Sequence, residues 1–370
     1  MNKSLLRSIK QLLCPPGWGV FTVNTAKERK EELANKLYPD SKDIVKSWQD
    51  SFLGFEKQSL TNILGICSDC GGGILRGANW GPLFMRLKLL ETLSSGNDFF
   101  DLGDVRVIPH LLHDKYLNKQ TIESCKQALY QDKFAPHSVS PLSITEEFLD
   151  NFYQSYPAKK IFAIGGDHSV SYPLLKSYLK AKKKQGIKVG LIHFDAHTDL
   201  LTERLGIDLC FGSWVTHILN DLDSPSLCYQ IGIRSSGKSK DHWEKTFGIT
   251  QYWNSDVNTL GAMEVAHQII EKLTTDEVDE IYVSFDIDAL DSAYASATGT
   301  PEPNGLEPHQ AIIIIQELQK NFKITGADMV EVAPFVRINP EAMTEPETTL
   351  NSAALISKLL IEGLNQDGSL

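Results

Sequence analysis

Asp195, His197 and Asp199 stand at alternate positions where the apolar run GLIHFDAHTDL (Gly190–Leu200) turns polar. In extended backbone, residues two apart point to the same side, so two carboxylates and an imidazole can converge on one point. Asp286 and Asp288 repeat the spacing in SFDIDALD (Ser284–Asp291), and His168 follows a third apolar run in GGDHS (Gly165–Ser169). Each piece alone has an ordinary explanation: a hydrogen-bonded histidine at a strand end, or an aspartate capping a helix. Together they deliver two imidazoles and four carboxylates to one place, and such groups are costly to bury without a positive partner. The set His168, Asp195, His197, Asp199, Asp286 and Asp288 is too large for one tetrahedral zinc and too oxygen-rich for a structural site. It suits two divalent ions with shared carboxylates, and hard oxygen ligands with some imidazole favour manganese. Such ions sit roughly 3.5–4 Å apart and acidify a shared water toward a pKa of about 7.

The elements that must position these groups are legible as short apolar runs alternating with helical patterns. The runs are NILGIC (62–67), KIFAIGG (160–166), KVGLIHFD (188–195), LCYQIGI (227–233), EIYVSFD (280–286) and ITGADMVEV (324–332). Strands apolar on both faces, alternating with helices, predict an α/β fold: a three-layer α/β/α domain around a mainly parallel sheet of about eight strands. Right-handed crossovers place the strand C-termini along one edge, where ligands bind in such folds. Four of the runs end in GGDHS, HFDAHTD, SFDIDALD and VEVAP, the last carrying Glu331. Residues 1–60 read as an N-terminal helical extension, with TAKERKEELANKLY at helical spacing and a short amphipathic helix stopped by Pro15-Pro16. Residues 61–370 read as the catalytic domain.

Of the 370 residues, 42% are hydrophobic and 22% charged, a globular composition. The net charge of −11 argues against a nucleic-acid partner and accords with an acidic cleft for a cation. No apolar run approaches the roughly 18 residues that cross a bilayer, and the first residues lack the cleavage pattern of a secretory signal. The expectation is a cytoplasmic protein that binds no membrane. Cys67 and Cys70 form a CxxC with no second pair, so neither a zinc site nor a disulfide framework is expected.

GGDHS, DAHTD and SFDIDALDSAYASATGTPEPNGL resemble the three hallmark segments of the ureohydrolase family, which includes arginase and agmatinase. The likeness runs from about Asn62 to the C-terminus and takes in GANWGPLFMR (77–86), DLGDV (101–105), IGIRS (231–235) and VEVAP (330–334). The resemblance implies an arginase-like fold and a homotrimer or homohexamer. It implies that His168, Asp195, Asp199 and Asp286 hold one manganese, and Asp195, His197, Asp286 and Asp288 the other. In the family's reaction a bridging hydroxide attacks the carbon of a small cationic guanidino substrate and urea is released. Asp199 is then the residue that relays a proton to the leaving nitrogen. Glu331 is the guanidinium acceptor, through paired charge-assisted hydrogen bonds.

The chain departs from the family at LCFGSWVTHIL (209–219), where Phe211-Gly212 stands in place of a usual His-Gly pair. Ser292 replaces a usual proline, and the acid common near Arg337 is missing. Phe211 and Trp214 are read as an aromatic wall against a cationic substrate, a contact worth about 0.5–2 kcal/mol. That wall favours a small substrate such as free guanidine, with nickel the alternative metal. Agmatine, arginine and 4-guanidinobutyrate are the alternative substrates. Formimidoylglutamate hydrolysis would need basic residues for two carboxylates, with Arg204 and Arg234 the nearby candidates. The non-enzymatic alternative is a metal-binding family member without catalysis.

Overall fold

The computed structural model describes residues 3–21, 25–70, 75–93, 98–337 and 345–366. Among the described residues, nine strands form a single sheet: β1 (Leu13–Cys14), β2 (Thr61–Ile66), β3 (Phe99–Val105), β4 (Ile161–Ile164), β5 (Val189–Phe194), β6 (Cys228–Ile231), β7 (Thr250–Tyr252), β8 (Glu280–Asp286) and β9 (Lys323–Val330). Their order is β1-β3-β2-β4-β9-β8-β5-β6-β7. Every neighbouring pair is parallel except β1 with β3. The expected sheet of about eight strands is therefore eight parallel strands with one short antiparallel edge.

Alternate residues of each central strand feed opposite cores. On β5, Leu191 joins a core with the helices Pro141–Ser155 and Ser171–Lys184, whereas Ile192 and Phe194 join one with Ala262–Thr275, Pro308–Asn321 and Glu345–Asn365. The helices start where their sequences direct. Ser140 accepts a hydrogen bond from the Ser143 N–H ahead of Pro141, whose missing N–H costs nothing at a first helical position. Among the described residues, no helix is long and apolar enough to cross a membrane.

The N-terminal region departs from a purely helical wrap. After the helix Lys3–Leu12, Leu13 and Cys14 pair with Val105 and Asp104 and close the edge of the sheet. The extension is anchored there by charge. Arg86, fully buried, donates to both Asp101 oxygens at 2.7 and 3.0 Å and to Asp104 Oδ1 at 2.5 Å. Asp104 Oδ2 in turn accepts the N–H groups of Gly17 and Gly19 at 2.8 and 3.0 Å. One buried cation thus ties together the helix Gly81–Thr92, β3 and the extension.

Candidate metal centre

Four adjacent strands, β4, β9, β8 and β5, deliver the site residues to one sheet edge. After β4 the chain passes so close to Ser68 that a Cβ on Gly166 would lie 1.8 Å from its carbonyl oxygen; only glycine fits. Asp167 then holds the turn, accepting from the Cys70 N–H at 2.7 Å and the Ser68 hydroxyl at 2.9 Å. The CxxC segment therefore contributes a backbone N–H here, and burial keeps the Cys67 and Cys70 thiols well above their usual range.

His168 is oriented from behind. Its Nε2 lies 3.1 Å from the Ser284 hydroxyl, which donates to Asp328 Oδ1 at 2.8 Å; Tyr282 donates to Asp328 Oδ2 at 2.8 Å. A hydroxyl already donating to Asp328 can only accept from the ring, so the proton sits on Nε2 and Nδ1 presents a lone pair. That Nδ1 is buried without a hydrogen-bond partner. Around it stand Asp195 Oδ2 at 3.1 Å, Asp286 Oδ2 at 3.1 Å and Asp199 Oδ2 at 3.2 Å. A buried lone pair ringed by three carboxylate oxygens is strongly repulsive unless a cation occupies the centre, so this donor set fits a divalent metal.

A second cluster shares one member with the first. His197 Nδ1 lies 3.3 Å from Asp195 Oδ1 and 3.2 Å from Asp288 Oδ2. Asp195 thereby offers one oxygen to each cluster. Asp286 offers Oδ2 to the first, while its Oδ1 accepts the Asp288 N–H at 2.8 Å. Asp288 is fixed by the Ala196 N–H at 3.1 Å and the Thr300 hydroxyl at 2.9 Å. His197 is the more open of the two imidazoles, 28% exposed, and its Nε2 faces Glu302 at 3.6 Å.

The charge balance has the same meaning. Burial, then Asp288 and Asp195, pushes the Asp286 carboxyl well above its usual range; burial and Asp195 do the same to Asp199. Burial alone would lower the His168 imidazole, but Asp195, Asp286 and Asp199 push it well up. Asp195 moves the other way: burial opposes it, yet the His168, His193 and His197 imidazoles around it hold it well below. With no ion, protons must supply the positive charge.

The backbone route to this geometry differs from simple strand alternation. β5 ends at Phe194, and the His197 N–H folds back onto Asp195 Oδ1 at 2.6 Å. Asp199 sits at φ +51°, a left-handed conformation that aspartate tolerates. The side chains converge because the loop curls around the centre, with Asp195 beyond the pleat.

The aromatic wall divides. Trp214 is fully buried, packs 4.8 Å from the His168 ring and donates its indole N–H to Asp199 Oδ2 at 2.7 Å. It stands behind the carboxylate. Phe211 is half-buried, with the Arg204 guanidinium 5.8 Å over its ring. His217 lies 2.8 Å from the Asp208 carbonyl, away from the centre. Glu331 is buried at φ +62° and accepts the His168 N–H on Oε1 at 2.9 Å; burial and Asp167 push its carboxyl well up. Arg234 is spent on six backbone carbonyls, including Asp288 at 2.7 Å and Glu302 at 2.9 Å, so it ties loops together and cannot receive a substrate carboxylate.

Four participants escape a reading by motif: His193, Gln230, Thr300 and Asp328. His193 precedes Asp195 by two residues on β5 and donates toward its Oδ2 at 2.9 Å. Asp328 had a usable signal, an acid in the middle of an apolar strand.

The sequence profile of the arginase family matches residues 60–361. Mitochondrial guanidino acid hydrolase of Homo sapiens is 31% identical over 317 residues, spanning 81% of this chain and 76% of that protein. Guanidinobutyrase of Pseudomonas aeruginosa is 28% identical, spanning 81% of this chain and 84% of its own length. In fold, proclavaminate amidino hydrolase of Streptomyces clavuligerus superposes with a TM-score of 0.62 at 23% identity, covering 83% of this chain and 92% of that one.

Proposed function

The chain belongs to the arginase family, and on that premise we propose that it hydrolyses a guanidino compound and releases urea at two divalent ions. The family's hydrolases act on C–N bonds of linear amidines and depend on a binuclear metal centre. His168, Asp195, Asp199 and Asp286 would hold one ion, and Asp195, His197, Asp286 and Asp288 the other. The observation that carries this reading is the buried His168 Nδ1 ringed by three carboxylate oxygens. Bound divalent ions there supply positive charge and acidify water near neutral pH, with manganese favoured and nickel the alternative.

The remaining chemistry falls to the chain. Glu331, with Oε1 engaged by the His168 N–H, has Oε2 left to accept from a guanidinium N–H and orient the planar carbon. Asp199 carries a proton to the departing nitrogen, which cannot leave as an amide anion. The Trp214 N–H holds Asp199 in place for that transfer.

For the tail, Phe211 in place of a polar loop residue supports a short substrate, free guanidine being the limiting case. A second reading, a guanidino acid without an α-amino group such as 4-guanidinobutyrate, is favoured by Arg204 above Phe211 and by the two relatives that span four-fifths of the chain. Steady-state urea release should be measured over guanidine, 4-guanidinobutyrate, agmatine and arginine, with manganese and nickel supplied separately. Dominant turnover of guanidine supports the first reading and of 4-guanidinobutyrate the second; dominant turnover of agmatine or arginine contradicts both, and no urea from any contradicts the class. A homotrimer or homohexamer is proposed on the family resemblance, and a monomer in light scattering contradicts it.

A further inference from the structure

His193, Gln230 and Gln251 lie side by side in one row across three parallel strands: His193 pairs in register with Gln230, and Gln230 with Gln251. All three are essentially fully buried, an unusual place for two carboxamides and an imidazole. They form one hydrogen-bonded chain. Trp253 Nε1 meets Gln251 Oε1 at 2.8 Å, Gln251 Nε2 meets Gln230 Oε1 at 2.7 Å, and Gln230 Nε2 meets His193 Nδ1 at 2.9 Å. His193 Nε2 then meets Asp195 Oδ2 at 2.9 Å.

The direction of the chain follows from groups whose roles are fixed. An indole nitrogen can only donate, so Gln251 must turn its oxygen to Trp253 and its nitrogen to Gln230. The Thr198 carbonyl can only accept, and it lies 2.6 Å from Gln230 Nε2, so the nitrogen of Gln230 faces that carbonyl and His193. Both anchors give the same polarity, independently of how either amide is drawn. His193 Nδ1 is therefore an acceptor, and the ring proton resides on Nε2.

We propose that His193 is a positioning residue, locked by the Trp253–Gln251–Gln230 chain as the Nε2–H tautomer, which holds Asp195 so that its two oxygens face the two ion sites. Distance alone groups His193 with His168, Asp195 and Asp199 as a cation site. The locked tautomer removes it from that set: one ring nitrogen carries a hydrogen aimed at Asp195, and the other is taken by Gln230. The inference rests on the binuclear reading above and adds that the bridging carboxylate is oriented from β6 and β7.

Two substitutions of similar polarity separate reach from mere occupancy. In His193→Gln the terminal amide extends to the position of Nε2 and can still donate to Asp195. In His193→Asn it stops near the position of Nδ1. Manganese affinity and stoichiometry should be measured for both variants and the parent protein by equilibrium dialysis with metal analysis. The exchange-coupled manganese signal should be followed by electron paramagnetic resonance. The expected result is two ions bound to the parent and to His193→Gln with affinities within about threefold. His193→Asn should lose about 10–100-fold in affinity, the range of an orienting partner of a metal ligand, together with the coupled signal. Equal affinities in the parent and both variants overturn the proposal while leaving the binuclear centre intact, as does equal loss in both. A manganese-loaded crystal structure with His193 bonded to an ion overturns it as well. A parent protein that binds no pair of ions removes the binuclear reading and this inference with it.

Discussion

Asp195 turns one oxygen toward His168 and the other toward His197, so its removal would open both proposed ion sites at once. Asp195→Ala should therefore lose both ions and all urea release. Asp288→Ala should weaken the His197 side first, since Asp288 faces only that imidazole. Metal analysis of the purified variants checks this, and full occupancy in Asp195→Ala contradicts the bridging role. Ion uptake should also release protons. Asp199 and Asp286 are raised by burial and neighbouring carboxylates, and His168 and His197 by the carboxylates around them despite burial, so the ion-free centre holds protons that an ion must displace. Affinity should thus fall as the pH drops from about 8 to 6; calorimetry in buffers of different ionisation enthalpy counts the protons, and pH-independent binding contradicts the argument. Trp214→Phe keeps a ring against His168 but removes the N–H to Asp199. A hydrogen bond to a charged group is worth about 1.5–3 kcal/mol, so kcat should fall about tenfold or more with metal content unchanged. An unaltered kcat assigns Trp214 to packing alone.

At the scale of elements, the buried Arg86 fork joins a helix to β3 and, through Asp104, to the extension. Arg86→Ala leaves two carboxylates buried without their cation and should cost about 3–5 kcal/mol, read as a shift in the denaturant midpoint. The same fork explains why β3 was hard to foresee. FFDLGDV carries two acids within seven residues, which reads as a poor strand until the arginine that neutralises them is known. β7 has three residues and β1 two, too short for any periodicity. β5 and β8 were legible because strands of six and seven mostly apolar, β-prone residues lead straight to the site. The ligand motifs were legible for a related reason: no ordinary core use accounts for three polar groups packed together after an apolar strand. His193 was not. It sits inside the apolar run, and its role emerges only when β6 and β7 bring Gln230 and Gln251 alongside.

For the whole molecule, the extension is part of the folded body. Trp48, Phe52 and Phe55 are buried, and Phe52 and Phe55 each pack 5.3 Å from Phe100 of β3. A variant beginning at Gln58 would uncover that aromatic cluster and leave the β3 edge without β1. It should give mostly insoluble protein, and a soluble variant with unchanged thermal unfolding contradicts this. The link from Gly17 and Gly19 to Asp104 has a kinetic consequence. The extension cannot peel away without exposing the carboxylate that partners Arg86, so the chain ahead of Thr61 should open only when the sheet itself gives way. Digestion by trypsin at Lys10 should then follow the rate of global unfolding, rising with urea in step with it, and a fast denaturant-independent cut there would mean that the tail frays by itself.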